Sequence, residues 1–224
     1  MTQTVYFGTY TRRDSKGIYK ADFNSNKGTL ENLTLVAEEP SPTYLAFDKA
    51  GHLYSVGAKD GQGGIAAFDQ AGQLLNHVVE EGAPLCYVAV DEERNLVYGA
   101  NYHKGQVLVY RRLADGRLEL ADSASHQGQG PHANQASAHV HYADLTPDQY
   151  LITCDLGTDE VTTYDVAEDG KITQVQFSDL DAYLKSAKEA TVSADKNLKY
   201  QTIMDVITKI KENGVDNLGL TFYE

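Results

Sequence analysis

Residues 42–72 read PTYLAFDKAGHLYSVGAKDGQGGIAAFDQAG, in which short apolar runs alternate with polar turns. The first run leads into the turn DKAGH, the second lies around Tyr54, and the third ends at Phe68. Short runs of this composition, bounded by Gly and Asp, are typical of strands joined by turns. We therefore predict three consecutive antiparallel strands in this segment.

The same pattern occurs twice more along the chain. Residues 84–116 read PLCYVAVDEERNLVYGANYHKGQVLVYRRLADG, and residues 139–170 read HVHYADLTPDQYLITCDLGTDEVTTYDVAEDG. Asp48 in the first unit and Asp91 in the second are 43 residues apart. Because repeats of roughly 40–50 residues are typical of propeller blades, the pattern indicates a radial series of similar sheets.

Two further features extend the repeat. Residues 4–28, TVYFGTYTRRDSKGIYKADFNSNKG, supply only the last strands of an earlier unit. A fourth strand for each blade is predicted between the units, from the runs LTLVAE, LLNHVVE and LELADSAS. The predicted fold is therefore mainly β, an incomplete β-propeller with about three and a half blades of antiparallel sheet.

The pattern changes after Gly170. The run SDLDAYLKSAKEA begins with an S-x-x-D cap signal, and YQTIMDVITKIKEN has a stripe of apolar residues and stops at Gly214. We predict, in order, a helix at 178–190, a strand at 191–194, a helix at 200–213 and a strand at 217–222. These elements would form a small α+β domain at 173–224, after a propeller domain at 1–172.

The composition limits the partners. The formal net charge is −13 at pH 7, which repels nucleic acid and anionic membrane surfaces. No apolar run approaches the roughly 20 residues of a membrane helix, and the start MTQTVYFGTYTRRD lacks the apolar core of a signal peptide. We expect a cytoplasmic protein without a membrane span. Cys86 and Cys154 have no C-x-x-C partner and are expected to be buried, reduced thiols.

The first part of the chain resembles the seven-bladed lactonase family, which includes the propeller type of 6-phosphogluconolactonase. The resemblance rests on YFGTYTRRDSKGIYKADF, PSPTYLAF, LYSVG and GQGPHANQASAHVHYADLTPDQYLITCDLGTDEVTTYD. It covers residue 1 to about residue 172, roughly half of the family's propeller. It implies a hydrolase of carbohydrate metabolism that opens a sugar lactone, with no cofactor.

The residues after about 173 resemble the periplasmic domain of the ExbD/TolR family, on VSADKNLKYQTIMDVITKIKENGVDNLGL. That family normally begins with a membrane helix that carries a proton-relay Asp, and this chain has no such helix. The two resemblances raise an alternative to a lactonase: a non-catalytic fusion, natural or engineered. A homodimer is then expected through the open propeller edges or the self-associating C-terminal domain.

Three histidines lie within ten residues of the run GQGPHANQASAHVHYADLTPD, at His132, His139 and His141. Opening a lactone needs a general base to activate water and donors to hold the developing oxyanion. The ordinary pKa of histidine, about 6.5, suits the base. In H-V-H a strand projects His139 and His141 to the same side. Since the resemblance implies that this region lines the central pocket, we take His141 and His139 as catalytic candidates.

The substrate-binding candidates are His132, Gln135, Arg12 and Asp155. The resemblance implies a pocket at the loop before H-V-H and at Asp155, whereas Arg12 is a candidate because it lies in a loop after the first strand, from which it could reach a phosphate. The family usually has Arg-Gln in the loop before H-x-H, whereas this chain has Asn134 and Gln135, so one cation expected there is missing.

Each candidate also has a structural interpretation. Loop histidines often bond to backbone or water, exposed arginines such as Arg12 usually remain solvated, and an Asp such as Asp155 often fixes a turn. Tyr44, Tyr87 and Tyr102 either line the same mouth or pack in the sheets. The spacing H-x6-H-x-H is unlike a recurrent zinc motif, so we predict no metal site.

Overall fold

Four antiparallel sheets follow one another through the first part of the chain. The computed structural model describes residues 1–176, 180–185, 187–195 and 199–223. The first blade has three strands, β1 (Thr2–Phe7), β2 (Gly17–Asn24) and β3 (Thr29–Glu38). The second blade has four, β4 (Leu45–Phe47), β5 (Leu53–Lys59), β6 (Gln62–Phe68) and β7 (Leu74–Glu80).

The next two blades repeat this meander. The third contains β8 (Tyr87–Asp91), β9 (Leu96–Asn101), β10 (Gln106–Arg112) and β11 (Leu118–Ser125). The fourth contains β12 (Val140–Leu145), β13 (Leu151–Asp155), β14 (Glu160–Val166) and β15 (Ile172–Gln174). Three four-stranded blades and one of three strands confirm the incomplete propeller, including the fourth strands at β3, β7 and β11.

The core lies between neighbouring blades rather than within one sheet. Middle strands such as β6 and β9 are buried on both faces, because each is covered by a blade on either side. Tyr54 and Val97 belong to the cluster that joins the second and third blades, and Tyr98 and Leu151 to the cluster that joins the third and fourth. Each large side chain buried in this way contributes about 1.5–3 kcal/mol.

The chain divides into two compact units, the first of residues 1–174 and the second of residues 175–224. The elements of the second unit are α1 (Leu180–Leu184), β16 (Glu189–Asp195), α2 (Tyr200–Glu212) and β17 (Asn217–Tyr223). The two strands pair in parallel, and Leu184, Ile210 and Val215 form the core. The small α+β tail is therefore confirmed.

The predicted helix at 178–190 is wrong in length. It ends at Leu184, because Glu189 and Ala190 already pair with Asn217 and Leu218 in the parallel sheet. Ser178, the predicted cap, lies outside the described residues. In the described part of the chain, no helix is both long and apolar enough to cross a bilayer.

Candidate functional site

The repeat brings equivalent residues of three blades to one cleft. Thr43, Cys86 and His141 each precede a repeated tyrosine at the start of the first strand of a blade. All three line a cleft of about 520 Å³. The cleft therefore lies where the innermost strands begin.

Loops from other strands complete the cleft. The loop after β1 contributes Tyr10 and Arg12, and the β9–β10 loop contributes Tyr102 and His103. The guanidinium carbon of Arg12 lies 5.0 Å from the centre of the Tyr10 ring, a cation–π distance. Arg12 is exposed, so it brings a fixed positive charge to the cleft.

The repeated tyrosines pack against one another. The ring centres of Tyr44 and Tyr87 are 4.4 Å apart, and those of Tyr87 and Tyr142 are 4.7 Å apart. The Tyr87 hydroxyl donates to Oδ2 of Asp144 at 2.9 Å. Burial, with hydrogen bonds to Tyr44 and Asp144, raises the pKa of Tyr87. These rings support the innermost strands, whereas Tyr102 faces the cleft.

Tyr102 is the residue at which the two candidate catalytic histidines meet. The His139 ring stacks on the Tyr102 ring, with centroids 4.3 Å apart and planes 8° apart. The His141 ring meets the same phenol edge-on, at 6.0 Å and 83°. His141 is exposed and lines the cleft, while His139 is half-buried behind Tyr102.

The hydrogen bond of His139 orients its ring. Nδ1 lies 2.9 Å from the carbonyl oxygen of Tyr102. Because a carbonyl oxygen only accepts, Nδ1 carries the hydrogen and Nε2 of the neutral ring holds the lone pair. The ring is thus held in one tautomer by contacts on its edge and on its face.

Asp155 lies behind residues 137–141, the histidine segment that carries His139 and His141. The residue is 3% exposed, and its Oδ1 accepts the backbone N–H groups of His139 at 2.6 Å and Gly157 at 2.8 Å. Its Oδ2 lies 2.9 Å from Nδ1 of His126. The carboxylate therefore supports the backbone of His139, and its predicted contact with substrate stays a prediction.

Gln135 and His132 hold together the loop before β12. Gln135 is buried, its Oε1 accepts the backbone N–H of His132, and its Nε2 donates to the carbonyl of Leu156, both at 2.9 Å. Nδ1 of exposed His132 accepts the backbone N–H of Asn134 at 3.2 Å. Neither Gln135 nor His132 is among the described residues that line the cleft, so their substrate roles stay predictions.

The cleft also contains residues that the sequence does not single out as candidates, among them the thiol of Cys86 and the imidazole of His103. The repeat alignment contains a signal for Cys86, because it places this residue at the position of His141. Both cysteines are free thiols, but they are half-buried rather than buried as expected. Cys86 lines the cleft, and Cys154 is on the other face of β13 from Leu151, which packs against the third blade. Burial raises the pKa of the Cys86 thiol, which makes it a poor nucleophile.

The geometry agrees with comparisons to known proteins. The family described as "Lactonase, 7-bladed beta-propeller" matches residues 4–183. An uncharacterized protein of Lactococcus lactis subsp. cremoris is 56% identical over 175 residues, which cover 77% of this chain and 51% of the relative. The 6-phosphogluconolactonase of Bacillus subtilis is 41% identical over 183 residues, with coverages of 78% and 52%.

A solved structure of a protein from Lactobacillus plantarum is also similar. It superposes with a TM-score of 0.76 at 46% identity, over 78% of this chain and 52% of that one. The chain therefore spans about half the length of the curated relatives it matches. The ExbD/TolR resemblance of the C-terminal residues stays a prediction.

Proposed function

Because the chain belongs to the seven-bladed β-propeller lactonase family, we propose that its cleft binds a sugar lactone and hydrolyses the ring ester. The observation that carries the proposal is the joint contact of His139 and His141 with Tyr102 at the wall of the cleft. Histidine is the side chain whose ordinary pKa suits proton transfer near neutral pH. Two such rings beside a cleft with a fixed cation fit acyl-group hydrolysis.

In the proposed reaction His141 is the general base, because its ring lines the cleft. It removes a proton from a water molecule as the water oxygen bonds to the lactone carbonyl carbon. The ring C–O bond then breaks, and the leaving alkoxide takes up the proton from His141. The product is the open hydroxy acid, so one water is consumed and no co-reactant is needed.

The second histidine and the cation have separate proposed roles. His139 is the alternative base, since its Nδ1–H bond to Tyr102 leaves the lone pair on Nε2. Arg12 holds an anionic group of the substrate by a charge-assisted hydrogen bond. The name of the B. subtilis relative suggests 6-phosphogluconolactone as the first substrate to test.

The test compares ring opening of 6-phosphogluconolactone with the spontaneous rate, for the wild type, His141→Gln and His139→Gln. We expect His141→Gln to lower kcat by about 10²–10⁴-fold, the usual contribution of a general base. His52→Gln is the control, because His52 is a histidine that does not line the cleft. It comes after β4, whereas the cleft residue Thr43 comes before that strand, and its ring contacts Asp48. A larger loss in His139→Gln would assign the base to His139.

Arg12→Gln tests the substrate class. We expect it to raise KM for the phosphorylated lactone about tenfold, and to leave KM for the unphosphorylated lactone unchanged. No ring opening above background by the folded wild-type chain would reject lactone hydrolysis and favour the non-catalytic alternative.

Self-association is a second proposal, supported by apolar side chains on the open flanks. Leu33 in the first blade is 66% exposed and Val161 in the fourth is 67% exposed, positions that a neighbouring blade would cover. We propose that a second copy of the chain covers them. Light scattering should then give a dimer mass that falls to the monomer mass in Leu33→Glu; a wild-type monomer at high concentration contradicts the proposal.

A further inference from the structure

His126 lies in a buried polar cluster between the third and fourth blades, behind the histidine segment. Its side chain is 6% exposed, and that of Asp155 is 0% exposed. The Tyr164 hydroxyl lies 2.9 Å from Nε2 of His126, and the Thr153 hydroxyl lies 3.4 Å away. Burying a histidine against a carboxylate is costly unless both groups are compensated, so the arrangement calls for an explanation.

The contacts of His126 define which nitrogen faces Asp155. Burial, and then the charge of Asp155, raise the pKa of Tyr164 to about 12, so the phenol keeps its hydrogen and can donate it to Nε2. Nδ1–H then faces Oδ2 of Asp155 at 2.9 Å. This contact is close but is not a well-aligned hydrogen bond, since Oδ2 accepts no hydrogen bond from the described residues. Among the described contacts of this buried oxygen, the Nδ1–H dipole of His126 is the one that offsets its charge.

The other oxygen of Asp155 holds the candidate active site. Oδ1 accepts the backbone N–H of His139, and the Leu156 N–H donates to the carbonyl of His139 at 3.0 Å. A carboxylate is planar, so the orientation of one oxygen sets that of the other. We infer that His126 is a positioning residue, which holds Asp155 in the orientation that fixes the backbone of His139 and, two residues on, His141.

In the second and third blades, too, a buried polar side chain forms a hydrogen bond between the segment before the first strand and the end of the second strand. In the third blade Asn101 donates from Nδ2 to the carbonyl of Ala83 at 2.9 Å. In the second, Glu39 accepts the backbone N–H of Ala58 at 2.9 Å and lies 2.9 Å from Nε2 of His77. Asp155 makes the equivalent connection in the fourth blade. Of these three blades, only the fourth has the histidine pair in the segment that is connected in this way.

The inference rests on the proposed function for its catalytic consequence, but its geometry can be tested separately. The matched variants are His126→Asn and His126→Gln. The Asn amide nitrogen occupies the place of Nδ1 and still faces Asp155, whereas the Gln amide nitrogen reaches the place of Nε2 and faces Tyr164. His126→Leu removes both donors, and Tyr164→Phe removes only the hydroxyl beside Nε2.

We expect His126→Leu and His126→Gln to lower kcat by up to about 10²-fold, the cost of misplacing a reacting group by about 1 Å. KM should change by less than about threefold, because Arg12 and the rest of the cleft are untouched. In His126→Asn and Tyr164→Phe, kcat should stay within about threefold of the wild-type value. A defect in folding alone would not separate Asn from Gln in this way.

The second readout is the nitrogen-15 NMR spectrum of His139, which reports its tautomer without any substrate. We expect the Nδ1–H form in the wild type, His126→Asn and Tyr164→Phe, and a mixture of tautomers in His126→Leu and His126→Gln. An unchanged His139 spectrum in the folded Leu or Gln variant overturns the inference, whether or not the wild type opens lactones. Absence of ring opening with a shifted His139 spectrum rejects only the proposed function.

Discussion

The imidazole of His139 lies flat on the phenol of Tyr102, with their ring centres 4.3 Å apart. The stack and the Nδ1–H bond to the Tyr102 carbonyl both come from one residue of the β9–β10 loop. Replacing the ring removes the stack but keeps the carbonyl. The third blade thus supplies the surface on which the histidines of the fourth are oriented.

We predict that Tyr102→Leu lowers kcat/KM for lactone opening by about tenfold or less, because an aromatic pair contributes about 0.5–1.5 kcal/mol. Tyr102→Phe is the matched control, since it keeps the ring and removes only the hydroxyl. Steady-state kinetics on the two variants make the comparison. Equal losses in both would show that the hydroxyl, and not the stacked ring, is what matters.

A second prediction concerns Gly157, in the β13–β14 loop. A Cβ at this position would collide with the carbonyl oxygen of Ser137 and approach the backbone nitrogen of His139 to 2.8 Å. We expect Gly157→Ala to displace the histidine segment and to lower the unfolding free energy by about 1–3 kcal/mol, as overpacking does. Urea denaturation measures the loss.

Gly61→Asn is the control for that substitution. Gly61 has φ of +79° with open space around it, and Asn tolerates the left-handed region. We expect its stability to remain within about 0.5 kcal/mol of the wild type, as for other surface changes. If Gly157→Ala lowers the unfolding free energy no more than Gly61→Asn does, the β13–β14 loop can move away from Ser137 and His139, and the close packing at Gly157 is not required.

The third prediction compares two adjacent arginines. The Arg112 side chain is 9% exposed and donates to Asp48 and to Glu92, both at 2.8 Å, so it joins the second and third blades. Removing one partner from such a buried group costs about 3–5 kcal/mol, which is the loss we expect for Arg112→Met.

Arg111→Met provides the comparison on the same strand. Arg111 pairs with Glu119 at 2.7 Å, but the two side chains are 43% and 50% exposed. Exposed pairs contribute about 0–1 kcal/mol. Thermal or urea unfolding should show a much larger loss of unfolding free energy for Arg112→Met than for Arg111→Met. Similar losses would mean that the ion pairs of Arg112 do not stabilise the packing of the second blade against the third.

The fourth prediction is a pH dependence set by Asp91. This carboxylate is 1% exposed and accepts the Tyr98 hydroxyl at 2.8 Å and the Arg94 guanidinium at 3.0 Å. Burial alone would raise its pKa, but the hydrogen bonds from Arg94 and Tyr98 outweigh burial and hold the pKa below the ordinary 3.8. The unfolded chain therefore binds a proton more readily, and the stabilisation present above pH 3.8 is lost as pH falls through the folded value.

We expect Asp91→Asn to be less stable than the wild type by about 1–3 kcal/mol at pH 7, because it weakens two buried hydrogen bonds. The difference should shrink as the pH falls below 4, and guanidinium unfolding at several pH values measures it. Asp115→Asn is the control, since Asp115 forms a similar bond to Arg117 on an exposed turn. A constant difference down to the lowest pH would contradict the assignment to Asp91.

The blades could be predicted because a sheet buried on both faces repeats its pattern locally. The runs around Tyr54 and Tyr98 have strand composition, and the offset between Asp48 and Asp91 sets the period. The predicted helix at 178–190 is too long because the local sequence pattern does not report long-range strand pairing. Local spacing favours a helix there, but pairing of Glu189 with Asn217 is a long-range contact that no local pattern reports.

The candidate site was predictable only in part. H-V-H indicated two histidines on one side, and the structure brings both to Tyr102, a residue 37 positions before His139. Gln135 and Asp155 were selected from the same segment, yet their polar atoms bond the backbone around them. Polar residues near a site have the same sequence signature whether they face substrate or support the loop.

The succession of blades, the order of strands within each and the change to a helical tail follow from the amino-acid sequence, because each depends on periodicity over neighbouring residues. Two features come from the folded chain alone: Thr43, Cys86 and His141 share one cleft, and Asp155 connects His126 to the backbone of His139. Those contacts join residues of different blades. They are set by how the blades pack side by side, which depends on the shape of every interface between them.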